Sequence, residues 1–142
     1  MQFVTQPPSR KLLPDPPHPD LHPKTLVFNL NGTIISTEYV FGKGQKVTLR
    51  PGLQNMFMRL AQKYEIIIFA EEDEPMIMGA VMKVDPRMMF LRGVLGRESM
   101  VWRDGSFVKD LRYLNRDLRK VIAIDRTRDN VKDQPNNTII LP

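Results

Sequence analysis

Three short runs, Thr25–Phe28, Ile66–Phe69 and Val121–Ile124, are built almost entirely from aliphatic, β-branched and aromatic residues and lie far apart along the chain. A strand with one wet face alternates apolar and polar residues. A run without alternation needs cover on both faces, as in the interior of a parallel sheet. The segments between the runs supply that cover. Leu53, Met56, Phe57, Leu60, Ala61 and Tyr64 recur at helical spacing, so a helix is expected from Pro51 through Tyr64. Glu71 to Glu74 followed by Pro75 suits the positive end of a second helix reaching about Val84, with Ile77, Ala80, Val81 and Val84 as its core face. Met88–Leu91 and Thr138–Leu141 are further strand candidates. Gly42-Lys43-Gly44 and Asp104-Gly105 mark two hairpins, Ile34–Phe41 with Gln45–Leu49 and Ser99–Arg103 with Ser106–Val108. Strands alternating with helices give an α/β domain with a mainly parallel sheet, whose ligands gather just beyond the carboxyl ends of the strands. The residues there are Asn29, Asn31, Ala70, Glu71, Asp125 and Arg126.

A chain of 142 residues supports one such core and no second one. Seven of its 12 prolines precede Thr25, which denies residues 1–24 both a helix and a central strand. They are expected to form an extended arm, with the domain occupying residues 25–142. Leu12 and Leu13 either dock on the domain or a partner, or belong to a plain linker.

The absence of cysteine removes disulfides, a thiolate nucleophile and a thiolate metal site. No stretch approaches the ~18 uninterrupted apolar residues of a membrane span, and the first residues lack the charged start and apolar run of a signal peptide. The formal net charge is +5, yet Arg87–Lys132 holds twelve Lys/Arg against six Asp/Glu, so the excess is confined to that stretch. A basic half of this kind attracts acidic proteins, anionic membranes or nucleic acid, or is simply a solvated surface. Trp102 and Tyr113 are the aromatics singled out among those cations as stacking platforms, too few to favour nucleic acid.

The segment Thr25-Leu26-Val27-Phe28-Asn29-Leu30-Asn31-Gly32-Thr33 resembles the first motif of the haloacid dehalogenase (HAD) superfamily, in which four apolar residues precede Asp-x-Asp-x-Thr/Val. That superfamily includes phosphatases of the C-terminal domain of RNA polymerase II. Leu12-Leu13-Pro14-Asp15-Pro16, Arg50-Pro51-Gly52, Tyr64-Glu65-Ile66 and the long block from Arg97 to Asp125 are more similar to a relative of those enzymes, the receptor subunit of the mitochondrial inner-membrane presequence translocase. The likeness spans about Leu12 to Pro142. It implies a HAD-like, Rossmann-type three-layer sandwich with a mainly parallel central sheet and small β-hairpin insertions.

The resemblance also implies where chemistry would sit. In active members the first Asp attacks phosphorus and the second, facing the same way two residues on, acts as acid and base. Here those positions are Asn29 and Asn31, and an amide is neither an anionic nucleophile nor a titratable acid. The phosphate-holding hydroxyl is matched by Ala70. The phosphate-stabilising lysine is retained as Lys109. Asp125 keeps the first acid of the last motif, and Arg126 replaces its acidic or amide successor. Magnesium favours several anionic oxygen ligands, so its site is expected to be lost, with no other cofactor or metal site implied. Lys109 and Asp125 would then persist either as a buried ion pair or as part of a ligand site. Asn31-Gly32 is also a dipeptide prone to convert to Asp.

The expected role is therefore non-catalytic binding of other proteins in mitochondrial preprotein import, at the inner membrane on its intermembrane-space side, with translocase subunits and presequences as partners. A presequence is a basic amphipathic helix, for which Glu71, Glu72, Asp73 and Glu74 would supply acids and Met76, Met78 and Met82 an adaptable apolar surface. The same residues read equally as a charged helix start and ordinary packing. Two alternatives stand beside this role: a structural accessory subunit of a large assembly such as the respiratory chain, ATP synthase or ribosome, and a weakly active protein phosphatase.

Overall fold

The computed structural model describes residues 11–16 and 24–141, and the rest of the proline-rich arm lies outside the described residues. A central sheet carries β1 (Lys24–Phe28), β4 (Tyr64–Phe69), β5 (Leu91–Leu95), β8 (Val121–Asp125) and β9 (Thr138–Ile140) in the order β5-β4-β1-β8-β9, every neighbouring pair parallel. Two antiparallel hairpins stand apart from it, β2 (Ile35–Val40) with β3 (Gly44–Leu49) and β6 (Val101–Arg103) with β7 (Ser106–Val108). The three apolar runs become the three central strands, with Leu26 in register with both Ile66 and Ile122.

The chain runs outward from β1 through β4 to β5, then returns to the other side of β1 as β8 and β9. Right-handed crossovers put the connections of two such halves on opposite faces. The first half provides α1 (Leu53–Leu60) and α2 (Glu74–Val84), which bury Leu53, Phe57, Ile77, Ala80, Val81 and Val84 against Leu26, Phe28, Ile66 and Ile68. Phe57 meets Phe28 edge to face at 6.0 Å between centroids. The other face, formed by Val27, Ile67, Phe69, Val121 and Ala123, is covered by short 3-10 turns and by the arm. Leu13 is buried there. It lies over Gly93, where a Cβ would come within 3.1 Å of Leu13 Cδ2 and 3.0 Å of Ile67 Cδ1. Asn115 Nδ2 and Arg116 Nη1 donate to the Leu13 and Pro14 carbonyls, and Arg116 also grips Glu65 of β4 through Nε and Nη2, at 2.7 and 2.9 Å. Burial alone would raise the Glu65 carboxyl, but hydrogen bonds from Arg116 and Thr25 and the Arg116 charge hold it below its ordinary range. Among the described residues no helix is long and apolar enough to cross a membrane.

Several boundaries differ from the sequence reading: Ser99, expected in β6, lies in a 3-10 turn, and two other elements start or end elsewhere. Helix α1 ends at Leu60, because Tyr64 and Glu65 pair with Lys24 and Thr25 at the start of the sheet. The strand expected over Met88–Leu91 begins only at Leu91. Asp85, buried at the end of α2, accepts the N–H groups of Met89, Phe90 and Leu91 at 2.9 Å each, so these residues close a turn instead of extending. Asp85→Ala should therefore strand three backbone donors and lower the unfolding free energy by about 2–3 kcal/mol in urea titrations, with native-like circular dichroism.

Candidate functional site

Because the strand order reverses at β1, the carboxyl ends of β1 and β8 open side by side, and they bring Asn29 and Asp125 together. Lys109 enters from the end of β7, its N–H fixed to the Asn130 carbonyl at 2.7 Å. Its ammonium, 1% exposed, lies 2.6 Å from Asp125 Oδ2, 3.3 Å from Asn29 Oδ1 and 3.5 Å from Glu71 Oε2. The ammonium hydrogen-bonds Asp125 and Asn29, while Glu71 Oε2, buried and without a hydrogen bond, faces it at ion-pair distance. The Phe69 ring lies 6.0 Å away.

Neither oxygen of Asp125 is left idle, since Oδ1 accepts the backbone N–H groups of Arg126 and Thr127 at 2.7 and 3.0 Å. Asn29 Nδ2 donates to the Asn31 carbonyl at 3.0 Å, and Thr33 Oγ1 donates to the Asn29 carbonyl. The loop is tied down from outside by Arg50, whose Nε donates to the Thr33 carbonyl at 2.7 Å. Asn31 is exposed, and Gly32 N–H is bonded to the Ile35 carbonyl at 2.7 Å, which holds back the nitrogen that would have to attack Asn31 for it to convert to Asp. Ala70 is wholly buried and offers only a methyl group.

Lys109 is held in place by its neighbour Asp110, which is buried under Arg103, Arg112 and Gln134, while Gln134 Oε1 accepts the Leu111 N–H. Burial by itself would raise the Asp110 carboxyl; the arginine hydrogen bonds outweigh it and bring it from 3.8 down to about 2.

The acidic segment divides. Glu71 reaches Lys109, whereas Asp73 is the N-cap of α2, accepting Met76 N–H at 3.0 Å, and the Glu74 N–H donates to Glu98 at 3.1 Å. Arg97 pins the loop by donating to the Glu71 and Glu72 carbonyls. Burial, with the Glu71 charge adding to it, pushes the Glu72 carboxyl above its ordinary range. Of the methionines singled out, Met78 is half-buried and Met82 is exposed on α2. Glu98, Arg97, Asp110 and Gln134 carried no signal as supports in the sequence, because their partners are set by tertiary contacts between loops.

A family model described as NLI interacting factor-like phosphatase matches residues 24–142. The chain belongs to that family. Among curated relatives, the mitochondrial import inner membrane translocase subunit tim50 of Neurospora crassa is 38% identical over 142 residues, covering 100% of this chain and 26% of the relative. Human TIM50 is 34% identical, covering 99% of this chain and 40% of the relative. The chain thus spans about a quarter to two-fifths of the length of these relatives. In fold it is similar to the fission yeast RNA polymerase II CTD phosphatase Fcp1 solved with beryllium fluoride, with a TM-score of 0.65, 18% identity, and coverage of 84% of this chain and 41% of that one. The HAD-like α/β fold expected from the motifs is the fold of the family.

The Asp110 anchor makes an acid-sensitive support for the site. A depressed carboxyl contributes stability that is complete above about pH 5 and lost as pH falls through 4 toward 2. Urea midpoints should fall across that window, and Asp110→Asn should flatten the slope while lowering the plateau.

Proposed function

We propose that this chain is a non-catalytic, protein-binding member of the phosphatase family that acts in mitochondrial preprotein import, associated with the inner membrane on its intermembrane-space side. The observation that carries the reading is the Lys109 ammonium at 2.6 Å from Asp125, with an amide, Asn29, completing the buried cluster. In the family's first motif this amide stands where an anionic nucleophile is needed. Losing a nucleophile in an enzyme that works through it costs on the order of 10⁶ in turnover. Asn31 removes the acid as well, and Ala70 removes a phosphate donor.

The residues do not fit the magnesium that the motifs would otherwise imply. Of the motif carboxylates only Asp125 remains, and it is already engaged by an ammonium and two backbone N–H groups, while the neighbouring Glu71 faces the same ammonium. The Asn31 carbonyl is taken by Asn29 Nδ2. A divalent cation would have to displace Lys109, the buried cation that already sits between Asp125 and Glu71. A cluster whose buried charges are paired with each other stabilises the domain and leaves the surface around it for recognition. Similarity to translocase subunits supports the process and the association with the inner membrane: translocase proteins and presequences are the partners proposed, with the half-buried Glu71, Glu72 and Met78 and the exposed Asp73, Glu74, Met76 and Met82 as candidate contacts.

Gentle solubilisation of mitochondria followed by tagged pull-down and quantitative mass spectrometry should recover the chain with translocase subunits. Fixed stoichiometry with a respiratory, ATP-synthase or ribosomal assembly would instead make the fold an architectural subunit. The purified protein should not hydrolyse an aryl phosphate with magnesium above the blank. Turnover abolished by Asp125→Ala would overturn the non-catalytic reading.

A further inference from the structure

At the carboxyl end of the sheet one cation is committed and another is not. Lys109 is buried among its partners. Arg126 is exposed, and among the described residues its guanidinium makes no hydrogen bond or ion pair; only its backbone N–H is engaged, by Asp125. The side chain nevertheless has a seat. It lies flat over Gly32, where a Cβ would stand 2.6 Å from Arg126 Cδ and 3.2 Å from Nη1. Gly32 itself adopts φ +90°, a conformation that other residues rarely take, so no side chain competes for the space.

Arg126 borders a groove of about 310 Å³ at the foot of the β2–β3 hairpin, lined also by Ile35, Ser36, Thr48, Leu49 and Arg50, with no Asp or Glu among its lining residues. Arg50 uses Nε and Nη2 on the Thr33 and Gly32 carbonyls, which leaves its Nη1 available. The groove therefore offers one complete guanidinium fork, the N–H groups that Arg50 has left over, two hydroxyls and apolar walls. A fork of this kind matches the two oxygens of one carboxylate in plane.

We propose that this groove docks an acidic segment of a protein partner, with Arg126 taking an Asp or Glu side chain bidentately and the Ile35 and Leu49 walls accepting its stem. The assignment rests on the protein-binding reading and adds the partner's chemistry: this side of the mouth selects an anionic segment and repels a cationic helix.

The test uses a fluorescein-labelled peptide of about eight residues alternating Glu and Ser, with Gln-Ser, Lys-Ser and phosphoserine versions, in anisotropy titrations at low salt. The Glu peptide should bind, and the Gln and Lys peptides should not. Arg126→Glu should weaken binding about tenfold or more, and Arg126→Lys, which keeps the charge and loses the fork, about threefold to fivefold. Arg92→Glu, the same charge change at the amino end of β5, should stay within about twofold of the parent protein. Equal losses for Arg126→Glu and Arg92→Glu, absence of binding, or tighter binding of the phosphoserine peptide would each overturn the assignment. The same Arg126→Glu chain in the mitochondrial pull-down separates the two readings. If the parent protein recovers a complex and Arg126→Glu recovers it equally, the groove assignment fails and the protein-binding reading stands. If the parent protein recovers none, that reading fails.

Discussion

The arrangement of this domain depends on one buried ion pair. Lys109 and Asp125 come from the second half of the chain, and their contact lies at the point where the strand order reverses, against Asn29 from the first half. Burying two charges is costly unless each is paired and its remaining hydrogen-bonding capacity is met. Here the surrounding loops meet most of it: Arg126 and Thr127 N–H groups on Asp125, Asn29 on Lys109 with the Glu71 charge nearby, and the Asp110 network behind the lysine. The loops that close the carboxyl end of the sheet are ordered around this pair as a consequence.

That same economy separates recognition from chemistry. A site that turns over phosphate must keep its charges available for substrate and metal, and this one has turned them toward each other. What remains at the surface is electrostatically divided. Glu71 and Glu72 flank the mouth on the side of β4 and α2, while Arg126 and Arg50 flank the foot of the hairpin. On the proposed protein-binding reading, such a rim would orient a partner through opposite charges at two places, which contributes to register and specificity more than to raw affinity.

Much of this was legible in the sequence because it depends on local pattern. The three apolar runs could only be interior parallel strands, and the spacing of Ile77, Ala80, Val81 and Val84 fixed the buried face of α2. The motif positions placed Asn29, Lys109 and Asp125 at one end of the sheet. What was hidden depended on partners distant in sequence. Tyr64 continues the helical spacing of Leu53 to Ala61, yet parallel pairing with Lys24 draws it into β4. Met88 to Phe90 look extended until Asp85 collects their backbone donors. Leu13 could be assigned to the core only once Gly93 and the turn at Leu111–Leu114 were seen to form its seat. The uncommitted state of Arg126 was equally invisible, since it is defined by what the neighbouring arginine, Arg50, already holds.

The most direct measurement is a double-mutant cycle on unfolding free energy with Lys109→Met, Asp125→Asn and the pair combined. If the ion pair organises the carboxyl end of the sheet, Lys109→Met, which leaves the Asp125 carboxylate buried without its cation, should lose about 3–5 kcal/mol. The double variant should then recover about 2 kcal/mol relative to the sum of the single losses. Single variants within about 0.5 kcal/mol of the parent protein, or losses that simply add, would contradict the account by showing that the two charges stand independently of each other and of the fold.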